Sequence, residues 1–89
     1  MLLEVDLMTE RKTAVLYSKE NCQWCDRARM LLDNVDIDYL EYKYEKDFTK
    51  QQFQMEFGDD ATFPQVNINN QYIGGFKDTL HYLQENKII

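Results

Sequence analysis

The alternation of hydrophobic and polar stretches divides the first half of the chain into a strand, a helix and a second strand. Residues 13–17 are an unbroken β-prone apolar run, which is typical of a strand buried on both faces. Asn21 is a good helix opener, and apolar side chains recur at helical spacing from Cys22 to about Asp33. Residues 37–42 return to strand character. This order predicts a βαβ unit with parallel strands and a right-handed crossover.

A second helix is predicted over the residues that end at Phe57. Either Asp47 or Thr49 can cap its beginning, because both side chains carry an oxygen that accepts from a free backbone N–H. Gly58 follows its end, where a left-handed cap belongs.

The remaining residues predict a hairpin and a last helix. Residues 65–68 form a short alternating strand, Asn69–Asn70 suits a tight turn because asparagine tolerates positive φ, and residues 71–73 pair back. A helix follows from about Lys77 to Asn86. The element order β-α-β-α-β-β-α predicts an α/β fold in which three helices flank a four-stranded mixed sheet.

Length and charge narrow the possible partners. A chain of 89 residues makes one domain, which we place at residues 13–89, after an N-terminal extension of residues 1–12. Ten Lys and Arg against sixteen Asp and Glu give a net charge of −6. This charge argues against nucleic acid, whose phosphates are bound by Lys and Arg, and against an anionic membrane surface. No apolar run approaches the about 18 residues that a membrane span needs. We expect the protein to be a monomer.

The N-terminus indicates the compartment. Residues 1–6 have no basic lead and no long apolar stretch, so no secretory signal is predicted and the expected location is cytoplasmic. The cytoplasm is reducing, and cysteines there seldom form a static structural disulfide. Two cysteines at close spacing therefore indicate a catalytic, redox-active or metal-binding pair.

That pair is Cys22-Gln23-Trp24-Cys25, between the first strand and its helix. Side chains three residues apart share one helix face, one turn apart. At the helix N-terminus the Cys22 thiolate is stabilised by unpaired N–H groups, and cysteines in such motifs have pKa values of ~3.5–7.5 instead of ~8.5. Lys19 can add a positive charge, whereas Cys25 lies over the apolar face, where desolvation keeps it protonated. We therefore expect Cys22 to attack and Cys25 to resolve.

The cysteines also allow two other interpretations, a zinc site and a pair of inert thiols. Structural zinc usually needs four Cys or His ligands, and the chain has two Cys and one His, with His81 far away along the chain. Two inert buried thiols are also possible, since cysteine is often a small core hydrophobe. The βαβ context favours redox chemistry, with no metal and no tightly bound cofactor.

Two further positions have an ordinary and a functional interpretation. Pro64 is the only proline, and X-Pro is the bond at which cis costs little, but spacing alone favours a trans proline at the start of an edge strand. Gly74–Gly75 allows close backbone approach, and the N–H groups of the helix that follows can seat a carboxylate. Spacing alone favours a plain β-to-α turn there.

Three motifs together resemble a dithiol glutaredoxin. They are Tyr17-Ser18-Lys19 before the cysteines, then Thr62-Phe63-Pro64, then Ile73-Gly74-Gly75, in the order and spacing of that family. The resemblance covers about residues 13–87. It implies a thioredoxin-like fold and a glutathione-dependent thiol–disulfide oxidoreductase. Such an enzyme reduces protein disulfides and glutathione mixed disulfides through a redox-active Cys22–Cys25 disulfide, with glutathione as co-substrate. Ribonucleotide reductase is a protein substrate by family analogy.

The resemblance also implies where glutathione binds. The Phe63–Pro64 bond would be cis and lie against the cysteines, and the Phe63 backbone would pair with the cysteinyl part of glutathione. The γ-glutamyl carboxylate would rest on N–H groups after the double glycine, and Lys19 would meet the glycyl carboxylate. The residues assigned to glutathione in this way are Lys19, Trp24, Thr62, Phe63, Pro64, Gly75, Phe76, Lys77 and Asp78.

The chain departs from the family pattern at two places. Gln23-Trp24 stands where Pro-Tyr is usual, which loosens the turn between the cysteines. Ala61, preceded by Asp59–Asp60, stands where family members often carry Arg or Lys, so we expect a weaker anion seat there.

Two related functions remain as alternatives. One is a thioredoxin-like redoxin recycled by a flavin reductase. The other is an iron–sulfur cluster binder, in which a dimer uses one cysteine and one glutathione per chain. The family members known for clusters usually have a Cys-Gly-Phe-Ser motif, which this sequence lacks.

Overall fold

A computed structural model describes residues 12–89 of the chain. The predicted N-terminal extension therefore lies outside the described residues, except for Lys12. The elements in chain order are β1 (Thr13–Ser18), α1 (Gln23–Asn34), β2 (Asp38–Lys43), α2 (Lys50–Phe57), β3 (Gln65–Ile68), β4 (Gln71–Gly74) and α3 (Phe76–Glu85). The predicted element order is confirmed, with bounds that differ by one or two residues.

The four strands form one mixed sheet in the order β2-β1-β3-β4. β1 pairs parallel with β2, as the βαβ unit predicts, and antiparallel with β3, which in turn pairs antiparallel with β4. β3 is therefore an interior strand, and the expectation that Pro64 begins an edge strand is wrong. Pro64 lies one residue before Gln65, which is paired with Tyr17, so the missing N–H of the proline falls outside the ladder.

Helices α1 and α3 pack together on one face of the sheet, and the main hydrophobic core lies beneath them. Alternate residues of β1 and β3 point to this face, because side chains alternate across a strand. The buried members of the core are Ala14, Leu16, Ala28, Leu32, Ile37, Val66, Ile68 and Leu83. Full burial of one such leucine stabilises the fold by about 1.5–3 kcal/mol.

Aromatic side chains pack around α2 on the opposite face. Tyr17, which alternates with Leu16 along β1, contacts Phe57 with ring centroids 4.9 Å apart. Phe53 is buried and stacks on Phe63 at 4.2 Å, which places the loop before β3 against this helix. The aromatic layer thus supports the segment that contains the proline.

The short helix α2 has a reciprocal cap at its beginning. The Gln52 N–H donates to Thr49 Oγ1 at 3.1 Å, and the Thr49 N–H donates to Gln52 Oε1 at 2.8 Å. Thr49 is therefore the cap, and Asp47 instead accepts from the Lys43 N–H in the preceding turn. Gly58 ends the helix with φ 103° and ψ 159°, so its φ is positive but the left-handed helical cap expected there is wrong.

The hairpin turn follows the prediction. Asn69 and Asn70 have φ values of 52° and 65°, the positive values that a tight two-residue turn requires. Within residues 12–89, no helix combines the length and the apolar character needed to cross a membrane.

Candidate active site

The two cysteines lie at the beginning of α1 and are joined by a disulfide, with Cα atoms 5.2 Å apart. Cys22 is the N-cap of the helix, with extended backbone angles, and its sulfur accepts from the Cys25 N–H at 3.1 Å. Asn21, expected as the helix opener, lies one position earlier with φ 53°. That expectation is wrong by one residue, because the sulfur of Cys22 supplies the acceptor that an N-cap needs.

The two cysteines differ in access to solvent. Cys22 is half-buried, whereas Cys25 is fully buried on the inner face of α1 beside Ala28. Backbone N–H groups of the first helical turn point towards Cys22, where the helix carries a partial positive charge. This arrangement favours negative charge on an accessible sulfur and shields its partner.

A groove of about 330 Å³ lies beside the cysteines. Its lining brings together three segments that are far apart in sequence: the residue between the cysteines, the proline segment and the start of α3. The lining residues are Trp24, Thr62, Phe63, Pro64, Gly75, Phe76, Lys77 and Asp78. These are the residues assigned to glutathione by resemblance, with the exception of Lys19.

The proline segment has the conformation that the family resemblance implies. The Phe63–Pro64 peptide bond is cis, so the trans bond favoured by spacing alone is wrong. Pro64 is buried, and its carbonyl oxygen lies 3.7 Å from where a Cβ on Gly75 would be. The cis bond and the double glycine thus form adjacent walls of the groove.

The double glycine shapes the start of α3. Gly74 has φ 125°, and a Cβ at this position would collide with Asp78 Oδ2, so only glycine fits without movement. Gly75 is the N-cap, and its N–H donates to Asp78 Oδ2 at 3.3 Å. The N–H groups of Phe76 and Lys77 fall in the first turn, where no intrahelical acceptor exists. This end of the groove can therefore bind a carboxylate.

Thr79 is a residue that sequence reasoning missed. It is fully buried, and its hydroxyl donates to the Gly75 carbonyl oxygen at 2.8 Å, next to the Thr79 N–H, which donates to the same oxygen at 3.0 Å. These two bonds hold the N-cap of α3 in place. A hydroxyl residue in the first turn of the predicted last helix is the available signal, but it is a weak one.

Trp24 lines the groove, whereas Lys19 does not. Trp24 is 42% exposed. The centroid of its ring lies 5.4 Å from that of Phe76 and 4.8 Å from the Arg27 guanidinium carbon. Lys19 is exposed, and its Nζ lies 5.7 Å from the centroid of Phe63. Lys19 lines a separate cavity that Phe63 also borders.

A charged network anchors α1 to the sheet close to the site. Glu41 on β2 accepts from the buried Ser18 hydroxyl at 2.6 Å and from Arg29 Nε and Nη2 at 2.9 and 2.6 Å. The hydrogen bonds from Arg29 hold the pKa of Glu41 below its ordinary value, and the same bonds raise the pKa of Arg29. Arg29 also bonds Asp26. Sequence reasoning missed this network because its partners are distant along the chain.

The part of the chain that the structure describes contains no group of three or more His, Cys, Asp or Glu side chains arranged to hold a metal ion. His81 lies exposed on α3, away from the cysteines in sequence and on a different helix.

Comparison with known proteins decides the family. The family model described as Glutaredoxin matches residues 14–73. The chain belongs to the glutaredoxin family. Glutaredoxins are glutathione-dependent thiol–disulfide oxidoreductases, and the chain is an enzyme of this class, as the motifs indicated.

Individual glutaredoxins agree with this assignment. Glutaredoxin 3 of Escherichia coli K12 is 32% identical over 63 residues, which cover 71% of this chain and 76% of that protein. Glutaredoxin 1 of Rickettsia prowazekii is 28% identical over 78 residues, which cover 85% of this chain and 82% of that protein.

Solved glutaredoxin structures share the fold. The reduced Escherichia coli glutaredoxin has a TM-score of 0.73 at 25% identity and covers 86% of this chain and 99% of its own. The buckwheat glutaredoxin–glutathione complex has a TM-score of 0.71 at 21% identity, and covers 98% of this chain and 82% of its own. The predicted thioredoxin-like fold is confirmed.

Proposed function

We propose that Cys22 is the nucleophile of this glutaredoxin and that Cys25 is the resolving thiol. One observation carries the assignment: the half-buried Cys22 sulfur is the N-cap of α1, whereas Cys25 is fully buried one turn further on. Of the two cysteines, only Cys22 has surface that an incoming disulfide can reach. It is also the sulfur whose negative charge the helix end stabilises.

The reaction proceeds by two thiol–disulfide exchanges. The Cys22 thiolate attacks one sulfur of a substrate disulfide, that S–S bond breaks, and the released thiolate takes up a proton. Cys25 then loses its proton and attacks the Cys22 sulfur, which releases the second substrate thiol and leaves the Cys22–Cys25 disulfide. Two glutathione molecules reduce this disulfide and leave as glutathione disulfide. A glutathionylated substrate needs only the first exchange and a second glutathione.

Glutathione is proposed to bind in the groove beside the cysteines. Its cysteinyl part pairs in extended form with the Phe63 backbone next to Pro64, and its γ-glutamyl carboxylate accepts from the N–H groups of Phe76 and Lys77. Asp78 faces its amino group. The groove volume of about 330 Å³ is at the low end of ligand sites, and a glutaredoxin of the same fold has been solved with glutathione.

The remaining groove residues complete the proposed site. Trp24 provides a flat wall beside the sulfur, Thr62 lines the entrance to the proline segment, Gly75 allows close backbone approach, and Lys19 faces the glycyl carboxylate. Disulfide-containing proteins, with ribonucleotide reductase as one case, are the proposed protein substrates. We propose a monomer that acts in a reducing compartment such as the cytoplasm.

The cysteine assignment predicts different losses in two variants. Cys22→Ser removes the nucleophile, so we expect no exchange with any disulfide. Cys25→Ser keeps the nucleophile and is expected to retain removal of glutathione from a glutathionylated peptide while losing reduction of a protein disulfide. Turnover of both substrates by each variant, with glutathione and glutathione reductase, measures the difference.

Equal losses in both variants on both substrates would contradict the assignment. The same assay distinguishes the alternative reductant. If the wild-type protein turns over with thioredoxin reductase but not with glutathione and glutathione reductase, its electron source is a flavin reductase. Glutathione would then not be the reductant.

A further inference from the structure

The ring of Trp24 is held at the protein surface and not by the core. Trp24 is exposed, and its ring lies against the half-buried Phe76 and the exposed Arg27. Close packing fixes the side chains of a protein interior, but it does not fix a ring with this exposure. The place of the Trp24 ring in the groove therefore depends on these surface contacts.

Arg27 reaches the ring because it lies one turn after Trp24 on α1. Residues three apart share one helix face, and a helical side chain leans back over the preceding turn. The guanidinium carbon of Arg27 accordingly lies 4.8 Å from the centroid of the Trp24 ring. A guanidinium is planar and positively charged, so it stacks on the negative face of an aromatic ring.

The two arginines of α1 have different partners. Arg29 bonds Glu41 and Asp26, so the carboxylate next to Arg27 in sequence is already bonded to another guanidinium. Within residues 12–89, the structure shows no ion pair for Arg27. The contact with the Trp24 ring is therefore the interaction that accounts for the position of the Arg27 guanidinium.

Trp24 needs such support more than an aromatic residue that follows a proline. Gln23 stands before it where the family usually has proline, so no pyrrolidine ring restricts the backbone there. Trp24 and Phe76 both line the groove, and their ring centroids are 5.4 Å apart. Arg27 does not line the groove, so its contact with a groove ligand runs through the indole.

We propose that Arg27 is a positioning residue for glutathione exchange, because it holds the Trp24 ring beside Phe76 and so forms this wall of the groove before the ligand arrives. The proposal rests on the proposed binding of glutathione in the groove. A wall that is already ordered loses less conformational freedom when the ligand binds, and less free energy is then subtracted from binding.

The first test measures the position of the ring without any ligand. Trp24 is the only tryptophan of the chain, so tryptophan emission reports this ring alone. In the oxidised protein, we expect acrylamide to quench the emission of Arg27→Ala more strongly than that of the wild type, with a lower anisotropy. Arg27→Lys should give intermediate values, because lysine keeps the charge but lacks the planar group that stacks. Unchanged quenching and anisotropy in Arg27→Ala would overturn the proposal.

The second test measures the effect on glutathione. We expect Arg27→Ala to raise KM for glutathione about two- to fivefold with kcat little changed, which is the loss that an exposed cation–π contact allows. In a Trp24→Ala background the same substitution should leave KM unchanged, because the ring through which Arg27 acts is gone. A further rise in KM in that background would show that the charge attracts glutathione directly, and would overturn the positioning role.

Lys46→Ala is the matched control for loss of one positive charge. Lys46 is an exposed lysine in the turn before α2 and does not line the groove, so its removal should change neither the quenching nor KM. Arg27→Ala should also keep the wild-type Tm, because Arg27 is exposed. A lower Tm with a raised KM that Arg27→Lys does not partly restore would show that Arg27 acts through the fold, against the proposal.

The outcomes separate this inference from the proposed function. Wild-type turnover with glutathione, together with an unchanged KM in Arg27→Ala, would overturn the role of Arg27 alone. A wild-type protein that reduces disulfides with dithiothreitol but not with glutathione would contradict the proposed function, and the role of Arg27 in glutathione binding with it.

Discussion

The Cys22 sulfur has a structural role and a chemical role at the same atom. It accepts the Cys25 N–H as the N-cap of α1, and it forms one half of the disulfide. A thiolate at this position keeps the hydrogen bond and adds a negative charge at the positive end of a helix. Ionisation of the reduced protein at Cys22 is therefore favoured by the same geometry that begins the helix.

This geometry predicts how the reduced protein reacts with iodoacetamide. Alkylation of Cys22 should follow ionisation with a pKa in the range of ~3.5–7.5, below the ~8.5 of a free thiol, while buried Cys25 should react slowly at the same pH. The measurement is the alkylation rate against pH, with mass spectrometry to assign the modified residue.

Cys22→Ser provides the control, because its remaining thiol is the buried one. We expect the fast, low-pH phase to disappear in this variant. A wild-type protein whose two thiols both titrate like free cysteine would contradict the role of the helix end.

At the scale of elements, two glycines with positive φ end α2 and β4. Gly58 has φ 103° and open space where a Cβ would be, whereas Gly74 has φ 125° and lies against the Asp78 carboxylate. At Gly58, glycine is needed only for the backbone conformation. Gly74 also positions the carboxylate that accepts from the Gly75 N–H at the start of α3.

Alanine substitutions separate these effects. We expect Gly58→Ala and Gly74→Ala each to lower the free energy of unfolding by about 1–3 kcal/mol, since a side chain is strained at these φ values. Only Gly74→Ala should raise KM for glutathione, because its Cβ displaces Asp78 from the groove. Urea unfolding and glutathione kinetics on both variants measure the two effects.

Gly58→Ala is the control for Gly74→Ala, because both substitutions strain the backbone but only the second is next to the groove. A rise in KM for Gly58→Ala equal to that for Gly74→Ala would mean that general loss of stability, and not displacement of Asp78, changes the site. Both variants are compared at a temperature where each is folded.

At the scale of the whole molecule, the Glu41 network joins three elements. Ser18 is on β1, Glu41 is on β2 and Arg29 is on α1, so one carboxylate links the parallel strands to the helix that carries the cysteines. Arg29 makes two hydrogen bonds to that carboxylate, which is the stronger form of an ion pair.

This network predicts that acid destabilises the fold through Glu41. The pKa of Glu41 is lowered in the folded state, chiefly by the Arg29 hydrogen bonds, so its contribution is present above the ordinary value of 4.5 and is lost as pH falls through the folded pKa. We expect Glu41→Gln to lower the free energy of unfolding by about 1 kcal/mol at pH 7. The difference from wild type should shrink between pH 5 and about pH 3.

Urea unfolding of the oxidised protein at several pH values measures this difference. Exposed Glu20 in the loop after β1 gives the control Glu20→Gln, which should differ little from wild type at any pH. A difference for Glu41→Gln that stays constant down to pH 3 would show that the carboxylate charge is not the cause.

Much of the fold could be predicted because it depends on interactions between residues that are close in sequence. The helix and strand periods, the asparagine turn and the Thr49 cap involve partners within a few positions, so the element order was predictable. The cysteine spacing likewise indicated a redox pair. The errors at Asn21 and Gly58 are of a single residue or a single backbone angle, because several residues can satisfy the same helix end.

Neighbouring residues are enough to predict the order of the elements, the pair of cysteines at the start of a helix and the family motifs. Tertiary structure decided what depends on strand pairing and on distant partners: β3 lies inside the sheet, the Phe63–Pro64 bond is cis, and Arg29 meets Glu41. It also decided that the residue between the cysteines, the proline segment and the start of α3 line one groove. The physical reason is range: a cap or a turn is complete within a few residues, whereas a site is assembled only when the sheet brings remote segments together.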